Sequence, residues 1–354
     1  MTIRDVRLVP FAIPLRKALA TAYGPVSARR GIVVVLTDTA GRRGIGEAMP
    51  HPAAPSEALA TVHDELARAT RWLVGSDVSR LEALLAEARR MVRPAAMAVD
   101  MALYDLLGHA TGRPVTELLG GRRRDVVAVS ALLPDGAGVA GAQAAIARRF
   151  TTAKVKIGPD VDAAIARVAA LRAAAPALAL RCDANGAWDS DTATTAARRL
   201  APLGVAWLEQ PVPPDDLDGL ARVRREGVVR VAADEAVTDA AAVTRLAGAA
   251  DVVILKLVQL GGISAARAAA EAAARTGLRV TVTTGLESGI AIAAALHLAA
   301  TLPDPLEPCG LATGSLLAGD IVHHPMRAGP HMSPPRGPGL GVALDETAIS
   351  RWRA

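Results

Sequence analysis

Six polar clusters carry the chemistry in this chain. Lys154-Val155-Lys156, Asp183-Ala184-Asn185, Glu209-Gln210-Pro211, Asp234-Glu235, Lys256 and Glu287 follow short apolar runs, in that order. The lysines stand out against their background. Of the 40 lysine and arginine residues only four are lysine (Lys17, Lys154, Lys156 and Lys256), which leaves 36 arginines. Arginine is effectively never deprotonated, so a retained lysine is a candidate for proton transfer. Lys17 stands alone and lacks that context; the other three have carboxylates between them. One carboxylate after an apolar run is ordinarily a helix cap or a surface charge. Three in succession, flanked by lysines, are a different pattern. Close carboxylates raise one another's pKa, and a hard divalent cation removes the conflict. Oxygen donors with no nearby His or Cys point to Mg²⁺ rather than Zn²⁺, with Mn²⁺ able to replace it. Asp183, Glu209 and Asp234 are therefore assigned as ligands. A substrate carboxylate on such a cation has acidified α-protons, because the enediolate is stabilised. A lysine that is partly desolvated and close to a cation has a lowered pKa and can serve as the base.

The elements that must position these groups have two periodicities. Ile3–Ile13, Gly31–Thr37 and Gly44–Ala48 read as strands, with a mobile loop expected over Ala18–Arg30. Helical spacing follows over Ser56–Val74, Val78–Met91 and Pro94–Thr111, the last stopped by Gly112-Arg113-Pro114. From Val126 onward, short apolar strands alternate with alanine-rich helices. Strands are expected near Val126–Leu132, Ala153–Ile157, Ala179–Asp183, Ala206–Glu209, Val229–Ala233, Val252–Leu257 and Val280–Thr283. Helices are expected over Asp160–Ala175, Asp191–Leu203 and Ile263–Thr276. This is the pattern of βα units in a parallel sheet, and their number suits a barrel better than an open sheet. In a barrel every C-terminal strand end opens on one mouth. Lys154 and Lys156 share a side of their strand, as do Asp183 and Asn185. No glycine-rich dinucleotide fingerprint follows a strand. The stretch after Pro325 is rich in Pro and Gly and is expected to run back over the surface.

Composition narrows the class. The chain has 354 residues, 51% hydrophobic and 21% charged, which excludes wholesale disorder. Aromatics are 2%, so the core must be built from small aliphatic side chains, and base stacking has little to work with. With a net charge of +5 spread along the chain, nucleic acid is not expected as a partner. Two cysteines, Cys182 and Cys309, exclude a disulfide scaffold and a multi-cysteine zinc site, and are expected to be packed thiols. Charges interrupt the first residues where a signal peptide needs an apolar stretch, and no apolar run is long enough for a membrane span. The expectation is a cytoplasmic protein with no membrane partner.

At this point the residues resemble a known group. The lysine pair, the Asp/Glu/Asp series and the later lysine look like the muconate-lactonizing-enzyme subgroup of the enolase superfamily. AKVKIG, RCDANGAW, WLEQPV, ADEAV and LKLVQLGGI match in order, after a helix, AAMAVDMALYDLLGHATGRPVTELLGG, similar to the family's last capping-domain helix. The resemblance implies an α/β fold: an N-terminal α+β capping domain (residues 1–120) and a TIM-like (β/α)7β barrel (121–325), with a C-terminal segment (326–354) returning over the cap. It implies that Lys156 and Lys256 flank the substrate α-carbon, with Lys154 behind Lys156 lowering its proton affinity. It also implies that Asn185 and Glu235 back the ligands, that the substrate is a small carboxylate, and that the chain forms homo-oligomers. Substrate contacts are expected from Thr21, Tyr23 and Met49–Pro52 on the cap, and from Thr284, Gly285, Leu286, Glu287 and Ser288 on the barrel, with the N–H groups around Gly285 and Ser288 facing a second carboxylate. Asp100 and Asp105 are expected in buried or interface ion pairs. The mandelate-racemase branch wants a His near VTVTTGLESG, where there is none. Dipeptide epimerases carry an Asp-x-Asp that LEPCGLATGSLLAGD lacks. LATAYGPVSARRGIVV, GLESGIAIAAALHLAATLP and CGLATGSLLAGDI are similar to o-succinylbenzoate synthases, lyases of menaquinone biosynthesis. Epimerisation of dipeptides or N-acylamino acids, cycloisomerisation, and a non-catalytic binding protein are the alternatives.

Overall fold

A computed structural model describes residues 1–21, 24–51, 58–133 and 137–353, with the backbone alone at 19–21 and 24–25. Strands β1 (Ile3–Thr21), β2 (Gly24–Asp38) and β3 (Arg43–Ala48) form an antiparallel sheet in that order. The loop expected over Ala18–Arg30 is largely strand. Leu19 pairs with Val26 and Ile13 with Arg29, so the hairpin continues through the Gly- and Ser-bearing stretch, with a register shift between Pro14 and Leu19. Helices α1 (Leu59–Leu73), α2 (Leu81–Ala88), α3 (Arg93–Thr111) and α4 (Val115–Leu118) follow. The central helix α3 is apolar on nearly every side and buried for most of its length. It lies so close to β3 that a Cβ on Gly46 would meet the Ala98 carbonyl oxygen at 2.0 Å.

The second layer begins with β4 (Val127–Ala128) and β5 (Ala131–Leu133), then α5 (Gly138–Ala147), β6 (Thr152–Lys156), α6 (Val161–Ala174), β7 (Ala179–Asp183) and α7 (Ser190–Leu200). It continues with β8 (Trp207–Glu209), α8 (Leu217–Arg225), β9 (Val231–Ala233), α9 (Ala240–Arg245), β10 (Val252–Lys256), α10 (Leu257–Leu260), α11 (Ile263–Thr276), β11 (Arg279–Thr283) and α12 (Gly289–Thr301). Strands β5 to β11 pair in chain order as one parallel seven-stranded sheet. The sheet curls shut through the extended segment Leu306–Gly310. Its Glu307 and Gly310 N–H groups donate to the Val280 and Val282 carbonyls on β11, and Cys309 N–H donates to Ala128 O while Ser130 N–H donates to Cys309 O. The barrel thus has eight staves, seven followed by helices and one that only closes the ring. Aspartates cap four of the barrel helices: Asp160, Asp189, Asp216 and Asp239 each accept a backbone N–H three residues on.

Beyond the barrel, β12 (His331–Met332) pairs antiparallel with β4. Val115 N–H donates to Gly339 O, and Ala12 N–H on β1 donates to Trp352 O. Helix α13 (Glu346–Arg351), unforeseen in the Pro/Gly-rich sequence, places Glu346 2.8 Å from Arg7. Asp100 and Asp105 of α3 are buried at the interface, but backbone N–H groups are their main partners rather than cations. Asp100 accepts from Ile263 and Ser264 of α11, and Asp105 from Ile45 and Leu340. Both thiols are buried and unpaired, and burial pushes Cys182 up to about 12 and Cys309 to about 11. Among the described residues no helix is long and apolar enough to cross a membrane.

Candidate active site

The ladder register brings the expected groups to one mouth. Lys156 on β6 pairs with Asp183 on β7, and Asp183 with Glu209 on β8. Asp234 follows β9 directly, and Lys256 ends β10 opposite Thr283 of β11. Stave two ends in Lys156 and stave six in Lys256, so in a ring of eight the two lysines stand on opposite walls. The carboxylates occupy the three staves between them on one side.

Side-chain contacts tie the group together. Lys154 Nζ lies 2.8 Å from Asp183 Oδ2 and 2.6 Å from Glu209 Oε1. Lys256 Nζ lies 2.5 Å from Asp234 Oδ2. Asn185 donates through its side chain to Glu235 Oε1 at 3.0 Å, and its backbone N–H donates to Asp183 Oδ1. Lys156 is exposed at the mouth, whereas Lys154 and Lys256 are half-buried and Asp183, Glu209 and Asp234 are buried. A lowered lysine pKa is not what Lys154 and Lys256 show. Burial pulls both down, but Asp183 and Glu209 outweigh it at Lys154, and Asp234 outweighs it at Lys256, so both are raised. Burial, with the charges of Asp183 and Asp234, pushes Glu209 up to about 7 against the pull of Lys154.

The donor set fits a hard cation on two counts. Burial comes first in raising Glu209, and the charges of Asp183 and Asp234 beside it add to the rise, which a cation among them would relieve. Asp234 Oδ1 and Glu235 Oε2 are buried without a hydrogen-bond partner. Among the described residues no three His, Cys, Asp or Glu side chains are closed around one point, and the ammonium groups of Lys154 and Lys256 supply the positive charge there.

The barrel loop after β11 is also at the mouth. Thr284 shares a 2.6 Å hydrogen bond with Thr313, and Thr284, Gly285 and Leu286 are half-buried, while Glu287 and Ser288 are buried. The Gly285 N–H does not face outward to an anion. It donates to Glu287 Oε2, because that buried carboxylate turns back onto its own loop. Ser288 is the N-cap of α12 and accepts from Ile290 N–H. On the cap, Thr21 backbone pairs with Gly24, while Tyr23 and Pro52 lie outside the described residues.

Three groups escaped the sequence analysis. Gln210 Oε1 accepts from the Asp234 and Ala236 N–H groups at 3.0 and 3.2 Å and so holds the turn that carries Asp234. Gln259 donates to the Asp234 and Val237 carbonyls of the same turn. Arg29, buried in the cap, donates to Met49 O, Pro50 O and Leu286 O, joining cap and barrel at the mouth. LEQP and KLVQL contained the two glutamines, but an amide that binds a turn has no signature until the turn is known.

A closed parallel barrel under an α+β cap, with lysines and carboxylates at the C-terminal strand ends, defines a class of capped-barrel enzyme. Residues 3–120 match the mandelate racemase / muconate lactonizing enzyme N-terminal domain, and residues 138–348 match the enolase C-terminal domain-like family. The chain belongs to the enolase superfamily, in its muconate-lactonizing-enzyme subgroup. It is 32% identical to muconate cycloisomerase 1 of Rhodococcus opacus over 375 residues, covering 99% of this chain and 98% of that one. It is 41% identical to the o-succinylbenzoate synthase of Thermobifida fusca over 209 residues, 57% of this chain and 64% of that protein. The crystal structure of a dipeptide epimerase from Enterococcus faecalis, complexed with Mg and the dipeptide L-Leu-L-Tyr, matches with a TM-score of 0.89 and 28% identity over 97% of this chain and all of that one. The relatives are isomerases and lyases, enzymes of a generally metal-dependent type, and this chain is an enzyme of that superfamily.

Proposed function

We propose that this enzyme removes the proton α to a substrate carboxylate, and that the reaction it serves is the dehydration giving o-succinylbenzoate. The observation that carries proton abstraction is the line Lys156–Asp183–Glu209 across adjoining strands, with Lys256 on the opposite wall. The 41% identity with an o-succinylbenzoate synthase supports the choice of substrate. Asp183, Glu209 and Asp234 would hold Mg²⁺, or Mn²⁺ in its place, backed by Asn185 and Glu235. Held there, such a cation would supply positive charge beside the substrate carboxylate and so acidify the α-carbon.

The residues then divide the work. Lys156 Nζ takes the α-proton as the C–H bond breaks and its electrons enter the carboxylate. The C–O bond to the neighbouring hydroxyl breaks, a C=C bond forms, and Lys156 returns its proton to the departing hydroxide, which leaves as water. Lys256, held protonated by Asp234, faces the developing anion from the other wall and stabilises it electrostatically. Lys154, held protonated by Asp183 and Glu209, is a fixed charge beneath Lys156. Aromatisation of the ring drives the elimination. Thr284, Gly285 and Leu286 line the mouth beside the substrate. The opposed lysines also favour a second reading, epimerisation, in which one lysine removes a proton and the other returns one to the opposite face.

The test is a spectrophotometric assay with Mg²⁺ and succinyl-hydroxycyclohexadiene carboxylate. Loss of diene absorbance, abolished by EDTA, is expected. Lys156→Ala should lower kcat by at least about 10³-fold with the fold intact. Substantial turnover by that variant removes Lys156 from the role. No turnover by the wild type, together with α-deuterium exchange into dipeptides or N-acylamino acids, moves the reaction to epimerisation.

A further inference from the structure

Beneath the carboxylates lies a barrel floor that the roles above do not use. Trp207 precedes Glu209 by two residues on β8, and Arg181 precedes Asp183 by two on β7, so all four side chains point into the barrel. The register sets Arg181 against Trp207, one layer below the pairing of Asp183 with Glu209. Trp207 is 1% exposed and Arg181 3%. The Arg181 guanidinium lies 3.8 Å from the centre of the Trp207 ring, and Arg230 lies 5.6 Å from it. A buried arginine over the face of an indole is a strong pairing, because the ring faces the cation without competing water. The closing stave fixes the arginine. Glu307 Oε2 is 3.5 Å from Arg181 Nη2, and Pro308 O accepts from Arg181 Nη1 at 2.6 Å. Glu307 also pairs with Arg230 and Arg279 at 2.8 and 2.5 Å. On the other side, Trp207 packs with Ala232, Val252 and Ile254 in a small apolar cluster inside the ring.

From this floor the indole N–H reaches upward. Trp207 Nε1 donates to Glu209 Oε2 at 3.4 Å, a long bond, while Lys154 holds Oε1 at 2.6 Å. The two donors differ in one physical respect. The Lys154 ammonium opposes any cation that Glu209 would bind, whereas the indole is a neutral donor and orients the carboxylate without that cost. Three guanidinium groups, Arg181, Arg230 and Arg279, share the one Glu307 carboxylate, so the floor fixes the indole from below while its net positive charge stays beneath the ring.

We propose that Trp207, clamped by Arg181 and through it by Glu307, is a positioning residue that sets the orientation of Glu209 and so the cation affinity of the strand-end carboxylates. The inference rests on Glu209 being a ligand, as proposed above. Groups that orient metal ligands typically change affinity by 10–100-fold when removed. The full-length protein is titrated with Mn²⁺ by calorimetry as wild type, Trp207→Phe and Asp234→Asn. Phenylalanine keeps an aromatic face against Arg181 and removes the N–H. For Trp207→Phe, Mn²⁺ binding about tenfold weaker is expected, with the far-UV circular-dichroism spectrum of the wild type retained. Binding within about twofold of wild type overturns the inference. Should Trp207→Phe not fold, Arg181→Lys is titrated instead. It keeps a charge for Glu307 but lifts the flat guanidinium off the indole. Several-fold weaker binding is expected, and unchanged binding overturns the inference. A wild type that does not bind Mn²⁺, or an Asp234→Asn variant that binds as well as wild type, defeats the ligand assignment itself and the inference with it.

Discussion

Gln210 sits directly after Glu209 with φ at 36°, a conformation uncommon for a side-chain-bearing residue, and its amide spans the gap to the Asp234 turn. Replacing it by alanine leaves the buried N–H groups of Asp234 and Ala236 without their acceptor. Gln210→Ala is expected to cost about 2–3 kcal/mol, measured as a lower urea midpoint at unchanged m-value. At this scale, legibility depended on charge. Lysines in an arginine-rich chain and carboxylates after apolar runs announce themselves, and strand alternation says which of them share a face. Trp207 and Gln210 were in plain view within WLEQP, but an indole reads as core and an amide as surface. Their meaning comes from partners on other strands, which the sequence does not pair. The Gly285 N–H shows the converse. Its position suited an anion, and a neighbouring glutamate had already taken it.

Among the elements, α11 has its N-terminus capped from α3, far away in the chain. Its own N-cap residue, Gly262, has no side chain to offer, and Asp100 of α3 accepts from Ile263 and Ser264 at 2.7 and 3.1 Å instead. A Cβ at Gly262 would stand 2.6 Å from the Asp100 side chain, so the glycine leaves room for the visiting carboxylate. Asp100→Ala is expected to lower unfolding stability by about 1–3 kcal/mol, and Asp100→Asn, which keeps an acceptor, by less than half of that. Equal losses in thermal melts of the two variants would mean that the acceptor is not what matters. Helical periodicity located α1, α3, α6, α7 and α11 to within a few residues, because apolar spacing survives whatever the tertiary partner is, but α12, apolar on every side, gave no such spacing. The closing stave Leu306–Gly310 was not legible. Preceded by Pro305 and interrupted by Pro308, it reads as a loop, and only its neighbours on both sides make it a strand. The β1–β2 hairpin was hidden for the same reason, since Gly, Ser and Pro mark turns in isolation but pair well enough inside a long ribbon.

Over the whole molecule, buried carboxylates set a pH dependence. Burial pushes Asp105 up to about 7 and Glu47 to about 8; Glu47 also feels Glu287 and Asp320, and the Ala291 N–H that it accepts at 2.8 Å only partly offsets this. Each binds its proton more tightly folded than unfolded. The stabilisation is therefore complete below the ordinary carboxyl range and is lost as pH rises through about 7 and then about 8. His297, which burial lowers to about 4, works in the opposite sense but is neutral in both states well above pH 6.5. Tm is therefore expected to fall from about pH 6.5 to about pH 9, and Glu47→Gln should flatten the upper half of that fall in a series of melts. The cap, the barrel and their order along the chain were legible from the change of periodicity near Val126. The buried acids that join the two were not, because a carboxylate on a helix or strand looks the same in sequence whether it meets water or a distant N–H. The seam of the ring has a consequence during synthesis. Ser130 and Cys309, which close it, are 179 positions apart. At ribosomal speeds of about 5–20 residues per second, the edge of β5 waits roughly 10–40 s for its last neighbour. For that interval the nascent chain is an open, curled sheet with two unpaired edges, the form in which strand edges recruit one another. The separation of its seam partners thus sets a cost during synthesis, well before the protein meets a substrate.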